Sequence, residues 1–359
     1  MLIHRSIFKE LFINFMTVIL SLSVILFMER FVRLTRVFMG KGTEVIDIAR
    51  VFIYLQPSIL LLSIPMATLI AIFLTYGRMA ADSEIIVLKG SGMSFSQISR
   101  AALMLSAAGF CIILFISLYL SPLSMQYFKR TLHETITKKA SMIMEEETFT
   151  EVFKDTVIYF KNIASKNKFK GIFIYRDSGA SLKDPVVIFA EDGALISNPK
   201  EGIIKLLLNN GIIHTTSQKS ASEISFSKYD FVLTTGIERS EDARSDEIAL
   251  VDLWNGRKDK VLWDIELNRR FAIPFACLIF GILGPALSSR MGKMGRLGGF
   301  SFSLSLLVLY YVMLIIAEGL AKAGKVTPFW SIWTPNMIFG AIAVLFFRLS
   351  HQDSPAKRI

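Results

Sequence analysis

From Thr156 to Tyr175 the chain reads TVIYFKNIASKNKFKGIFIY. Two short runs rich in β-branched and aromatic residues, Thr156–Ile163 and Phe169–Tyr175, flank a polar break. That is strand composition. The same texture recurs in Val186–Ala190 (VVIFA), Ile203–Leu208 (IIKLLL), Gly211–Thr216 (GIIHTT) and Ile224–Leu233 (ISFSKYDFVL). Turn formers bound the runs: Asp177-Ser178-Gly179, Asp192-Gly193, Asn198-Pro199 and Asn209-Asn210-Gly211. Short strands at roughly 10–15-residue spacing predict an all-β sandwich, jelly roll or open barrel.

On both sides of this stretch the period changes. Before it lie three long apolar runs, Ile7 to Val37, Ile48 to Tyr76 and Ala101 to Leu120, the last stopping at Pro122. After it lie three more, Phe271 to Leu287, Gly299 to Leu320 and Ser331 to Arg348. Each spans roughly 17–30 residues, enough to cross a ~30 Å hydrocarbon core with some tilt. Pro57 and Pro65 fall inside the second run, where a membrane helix tolerates proline as a kink. The predicted fold is an α-helical integral membrane protein with an inserted all-β domain: six transmembrane helices, three before and three after a jelly-roll-like domain. The expected divisions are 1–125, 126–264 and 265–359. Within the second, Glu238 to Asp246 is a charged linker, and Ala249 to Asp264 leads back to the bilayer with Trp254 and Trp263 as interface anchors.

Composition agrees. The chain has 359 residues, of which 52% are hydrophobic, and a mean hydropathy of +0.49. A soluble domain of this length is less apolar. The net charge is +10, but from Lys129 to Arg270 basic and acidic residues are equal in number. The excess therefore sits on the helical segments, where it fits anionic lipid and the positive-inside rule. A nucleic-acid binder needs a basic soluble face, so that class is excluded. Cys111 and Cys277 both lie in apolar runs and read as small buried hydrophobes. The β stretch has no cysteine and is not disulfide-stapled.

Arg5 and Lys9 precede the apolar run Leu11 to Met28, as in a signal sequence. Glu29-Arg30-Phe31 follows where small residues would mark cleavage, so the run reads as a retained first helix. One side of the membrane then carries Arg5, Lys9, Arg78, Lys89, Arg100, Arg290, Lys293, Arg296, Arg348, Lys357 and Arg358. The other side's short loops carry Arg30, Arg33, Arg36, Lys41, Arg50, Lys322 and Lys325. The bias puts both termini in the cytoplasm and the β domain outside, in the periplasm of a Gram-negative cell.

The loop after the second helix reads GRMAADSEIIVLKGSG from Gly77 to Gly92. Asp82 or Ser83 caps a short helix, Glu84 sits in its first turn, Ile85, Ile86 and Leu88 give it an apolar side, and Gly90 or Gly92 ends it. Such a helix either docks in a motor protein's groove or lies in the lipid interface. Arg30, Arg33 and Arg36 stand at i, i+3, i+6 on the outer end of the first helix. Against the positive-inside rule, they either grip phosphate on an outer-leaflet lipid or snorkel to headgroups and pair with Glu29 and Glu44. Glu266 and Asn268-Arg269-Arg270 read as a solvated start to the fourth helix, and Glu318 as a satisfied end residue of the fifth. Gly281, Gly284, Gly298 and Gly299 read as close-packing positions.

Several chemistries are missing. No G-x-x-x-x-G-K-[ST] phosphate loop is present, since Gly292-Lys293 runs into Met294. His4, His133, His214 and His351 are scattered, which argues against a metal site. There is no serine-hydrolase elbow and no row of membrane acids for proton coupling.

The layout and four local stretches resemble the lipopolysaccharide export permeases, the LptF/LptG (YjgP/YjgQ) family. The stretches are Arg5…Lys9-Glu10, Arg30-Phe-Val-Arg33, Ser83 to Gly92, and Glu266-Leu-Asn-Arg269-Arg270. By the first two, the chain resembles the LptF type more than the LptG type. The resemblance covers essentially the whole chain. It implies the permease subunit of an ABC transporter that extracts lipopolysaccharide from the bacterial inner membrane and passes it to a periplasmic bridge. The implied partners are a paralogous permease of LptG type, a dimeric ABC ATPase of LptB type and bridge proteins of LptC and LptA type. The chain itself would hold no cofactor and hydrolyse nothing; ATP and Mg would bind the partner ATPase. Asp82, Ser83, Glu84, Ile85, Leu88, Gly90 and Gly92 would form the coupling helix, with Glu84 toward the ATPase. Arg30, Arg33 and Arg36 would meet lipopolysaccharide phosphates. The rival readings are a permease of another lipid or lipoprotein ABC exporter, a membrane adaptor with no transport role, and an intramembrane enzyme. In the lipoprotein-release type the outer domain follows the first helix, not the third. An enzyme would need a catalytic pair in the helices, and the sequence offers none.

Overall fold

The computed structural model describes residues 2–38, 45–131, 146–153, 156–165, 168–176, 185–198, 203–216, 221–233, 245–256, 261–290 and 295–352. The chain divides into two compact units. One comprises Met1–Glu29, Leu55–Met125 and Ala243–Ile359, the other Arg30–Tyr54 and Gln126–Asp242.

The first unit is helical. The chain's long helices, which lie wholly or mostly in this unit, are α1 (Leu2–Phe38), α2 (Val45–Ala81), α5 (Arg100–Thr131), α7 (Val261–Ser288), α8 (Gly295–Lys322) and α9 (Pro328–Gln352). All six are long and apolar enough to cross a membrane, so the protein is a multi-pass membrane protein. Between α2 and α5 lie two short helices, α3 (Glu84–Gly90) and α4 (Phe95–Ile98). Before α7 comes α6 (Leu250–Gly256). The most apolar windows of α2 and α7 are 67% buried, whereas that of α1 is 11% buried. The bundle thus forms around α2 and α7, with α7 packed on α5, α8 and α9. The apolar faces of α1, α8 and α9 point outward.

Glycines set the helix spacing, as the sequence leads one to expect. A Cβ on Gly281 would collide with Ser106 of α5, and one on Gly284 with Ile72 of α2. A Cβ on Gly299 would stand 2.8 Å from the Phe73 carbonyl oxygen. Some polar groups between the helices bond to one another, because lipid offers them nothing. Tyr310 donates to Asn336 Oδ1 at 2.9 Å, and Asn336 Nδ2 donates to the Ala272 carbonyl at 2.8 Å.

Two helix limits differ most from the sequence reading. The third spanning helix does not stop at Pro122 but continues to Thr131. Residues Ile116–Leu120 form a π-helical turn just before the proline. The wider turn makes room for the pyrrolidine ring, so the helix survives it. The fourth begins at Val261 rather than Phe271. Its charged first turns are helical because Glu266 binds both Arg269 and Arg270. They are also buried where a solvated start was expected: Glu266 and Arg270 are 7% and 3% exposed. Glu318 is satisfied as expected, paired with Lys322 at 2.6 Å.

The second unit holds one six-stranded antiparallel sheet in sequence order: β1 (Phe149–Phe153), β2 (Thr156–Ser165), β3 (Lys168–Arg176), β4 (Val186–Asn198), β5 (Ile203–Thr216) and β6 (Ala221–Leu233). The inserted all-β domain is therefore present. One face is a closed core of Ile158, Phe160, Phe169, Ile172, Ile174, Ile188, Leu195, Leu206, Leu208 and Phe231. Asp192-Gly193 and Asn209-Asn210-Gly211 are not turns; they lie inside β4 and β5, which pair straight through them.

The physical reason is a crease. Residues facing the core are two apart along each strand, except once, where they are three apart. The step falls between Phe160 and Ile163, Phe169 and Ile172, Ala190 and Gly193, and Leu208 and Gly211. The pairing ladder places these steps side by side on adjacent strands. One extra residue per strand on a common row bends the sheet while keeping apolar side chains inward. Gly171 (φ 62°) and Asn210 (φ 48°) supply left-handed backbone on that row. The bend lets Arg176 of β3 reach β6, two strands beyond its neighbour. Its guanidinium sits 4.1 Å over the Phe231 ring and donates to the Val232 carbonyl at 3.0 Å. Burial lowers the Arg176 pKa from its ordinary value, with Tyr229 acting the other way.

A Cβ on Gly211 would enter the Phe189 carbonyl and the Phe226 ring. Gly211→Val is therefore expected to destabilise the β unit by about 1–3 kcal/mol. Limited proteolysis of the detergent-solubilised protein checks this: cleavage within 146–233 should accelerate while the helical fragments stay protected.

Candidate functional site

At one end of the helical unit three segments converge: the first turns of α1, the α2–α3 corner and the last turns of α9. The corner is tight. Asp82 N donates back to the Arg78 carbonyl at 2.9 Å, and Ser83 takes left-handed backbone, φ 58°. A non-glycine residue in that region is strained, so surrounding contacts must hold it. Ser83 occupies the N-cap position of α3, yet its side chain caps nothing, and neither does Asp82. The capping expectation fails because the left-handed turn aims Asp82 at Arg78 instead.

The contacts that hold the corner centre on Arg78. Its Nε and Nη2 grip Glu10 of α1, both at 2.7 Å. Nη1 donates to Glu84 and, at 3.1 Å, to Asp82. Nη2 also reaches the second Glu84 oxygen at 3.4 Å. All five guanidinium N–H groups are thus directed at carboxylate oxygens, a geometry only arginine offers. Glu84 does not stand free; it is bound to its own chain.

Helix α3 runs to Gly90, and Gly92 supplies its left-handed exit. Gly92 has φ 88°, and the Met93 N–H reaches back to the Leu88 carbonyl at 3.1 Å. That is the six-to-one closure of a left-handed C-terminus. The sides of α3 also sort differently from the sequence reading. Ile85 is buried and Leu88 packs against the same core as Leu11, Tyr76 and Met79. Ile86 and Val87 point outward, 69% and 68% exposed. Ile86 therefore leaves the inward set, and Val87 joins the exposed tip. On its far side α3 is tied to α9. Lys89 Nζ donates to the Ser350 carbonyl at 3.3 Å and lies 5.3 Å over the Phe95 ring, which meets Phe347 edge-on at 5.3 Å.

Sequence reasoning missed Glu10, Arg78, Val87 and Lys89 as members of this site. Val87 was legible in principle, since in a helix Ile85 and Leu88 share a face that Val87 does not. The Glu10–Arg78 pair joins residues 68 apart, and no local pattern announces it.

The three arginines of the sequence reading lie farther along α1. The helix runs unbroken through Arg30, Arg33 and Arg36 to Phe38, and Arg30 is half-buried. The side chains of Arg33 and Arg36 lie outside the described residues.

Known proteins place this architecture. The family described as lipopolysaccharide export system permease LptF/LptG matches residues 5–349. The lipopolysaccharide export system permease protein LptF of Escherichia coli (strain K12) is 20% identical over 351 residues, covering 96% of this chain and 94% of that protein. LptF of Shigella flexneri matches over the same span. An uncharacterized protein of Rickettsia prowazekii, RP871, is 27% identical over 196 residues, and the match spans about half of each chain, 54%. Six spanning helices, a β domain inserted between the third and fourth, and a match from residue 5 to residue 349 lead to one assignment: the chain belongs to the LptF/LptG family of lipopolysaccharide export system permeases.

Proposed function

We propose that this chain is one of two related permeases in an ABC exporter that extracts lipopolysaccharide from the bacterial inner membrane and hands it to a periplasmic bridge. The partners are a permease of LptG type, a dimeric ATPase of LptB type beneath α3, and bridge proteins of LptC and LptA type that receive lipid from the β domain. Both termini are cytoplasmic and the β domain periplasmic. Moving an acyl chain out of lipid costs about 0.8 kcal/mol per methylene. The sequence carries no phosphate-binding loop to supply that energy, so ATP and Mg belong to the partner.

The observation that carries this reading is the outward pair Ile86–Val87 on α3. An apolar tip on a short helix, braced from behind by Ile85, Leu88 and the Arg78 cluster, fits insertion into a groove of a second protein. An Ile86→Asp, Val87→Asp chain tests it by removing the tip. The outward apolar faces of α1 and α8 serve as cavity wall. Arg30, Arg33 and Arg36 grip the lipid's phosphates at the mouth. An Arg30→Glu, Arg33→Glu chain is expected to assemble normally yet lower lipopolysaccharide release from proteoliposomes about tenfold or more. Release at the unsubstituted rate would remove the clamp from the account.

A further inference from the structure

A guanidinium near a membrane surface needs one carboxylate for neutrality, and Arg78 has three. Two of them come from elements other than α2, the helix that carries Arg78. Glu10 belongs to α1, whose most apolar window is the least buried of the six. Glu84 belongs to α3, a seven-residue helix reached through the strained Ser83 corner. The cluster is partly shielded: the side chains of Arg78 and Glu10 are 21% and 32% exposed, those of Glu84 and Asp82 42% and 55%. Just beside it Ile7, Leu11, Met79 and Ile85 are buried in one core. The ion pairs are therefore backed by packed apolar contacts between the same three helices.

We propose that Arg78 is a positioning residue that joins α3 to α1, so that a displacement of α3 moves the first spanning helix. This rests on the reading of α3 as the ATPase-docking element. Rigid side chains in bidentate contact transmit displacement, whereas a single flexible contact yields to it. Glu10 holds two of the five N–H groups in a fork, and Glu84 takes two others. When α3 shifts, α1 must follow or the guanidinium loses a partner. The lever acts on the helix whose outward face and outer arginines contact the cargo in the proposed exporter. The opposite tie, Lys89 to the Ser350 carbonyl, connects the same short helix to α9. One displacement thus reaches both ends of the chain's membrane part, the first helix and the last.

The experiment uses the complete complex, purified with its ATPase and second permease and reconstituted with lipopolysaccharide in vesicles. Arg78→Lys keeps the charge but has three donors on a point charge and cannot hold both forks. Glu10→Gln keeps the shape and loses the charge. For each, three quantities are read: ATPase retained per permease, melting temperature, and lipid released per ATP hydrolysed. The expected result is retained ATPase, a melting temperature near that of the unsubstituted complex, and release per ATP lowered about tenfold. Glu10→Asp, which restores a carboxylate on α1, should recover part of it. Unchanged release per ATP in either assembled variant overturns the proposal. So does a fall in melting temperature and yield with release per ATP intact, because that marks a purely structural pair. If the unsubstituted chain purifies without an ATPase, the docking reading itself fails, and the joint fails with it.

Discussion

Glu266→Ala is expected to lower the stability of the helical unit by about 3–5 kcal/mol, the cost of breaking a buried ion pair from one side. Glu266 receives Arg269 Nη2 at 2.6 Å and Arg270 Nε at 3.1 Å. Its side chain is 8% exposed and that of Arg270 is 3% exposed. Arg270 also donates to the Ser245 carbonyl at 3.2 Å, and its own carbonyl accepts from Ser117 of α5. The cluster thus pins the segment entering α7 and the π-helical turn of α5 at one point. Alanine leaves the Arg270 guanidinium without this carboxylate where packing excludes water, while Arg269, 36% exposed, still reaches solvent. The check is the rate at which a thiol reagent reaches Cys277, which is fully buried, during heating of a Cys111→Ser protein. The midpoint should fall by about 10 °C. Glu266→Gln, which keeps the acceptor and loses the charge, should fall between the two. An unchanged midpoint in Glu266→Ala would show that the cluster contributes nothing to holding the bundle.

Ile86→Asp with Val87→Asp is expected to strip the ATPase from the purified complex while leaving the permease folded. Both side chains are more than two-thirds exposed, so the free chain loses no core packing. Burying each in a partner's groove contributes about 1.5–3 kcal/mol, and aspartate there would add a desolvation cost. The pair should lower affinity at least about 100-fold. Quantifying ATPase against permease after affinity purification reads this directly. Equal recovery in the double variant would mean that α3 meets lipid rather than protein.

Much of the fold was legible. Six apolar runs and a β-rich stretch differ in period, and period survives tertiary context. What was not legible has specific causes. The crease row uses the same residue types as a turn, so Asp192-Gly193 and Asn209-Asn210-Gly211 read as strand ends although the ladder runs through them in unbroken register. Pro122 reads as a helix stop unless the π-helical turn at Ile116–Leu120 is known. Burial of Glu266 and Arg270 depends on the Ser245 segment folding back, which local pattern does not encode. The site was half legible. Ser83 to Gly92 announces a short helix with a left-handed exit, and that helix is there. Its anchoring is not announced, because Glu10 lies a whole helix pair away from Arg78. The resemblance turns Glu84 toward a partner ATPase; in the folded chain that carboxylate is bound by its own Arg78.

The central claim is that this chain works as one permease of a pair driven by an ATPase bound at α3. The most direct measurement is mass spectrometry of the intact assembly purified from native membranes in mild detergent. The account predicts one copy of this chain, one related six-helix permease and a dimeric ABC ATPase, with lipopolysaccharide bound. A chain that emerges alone, or with soluble proteins that lack a nucleotide site, would contradict it and favour a membrane adaptor.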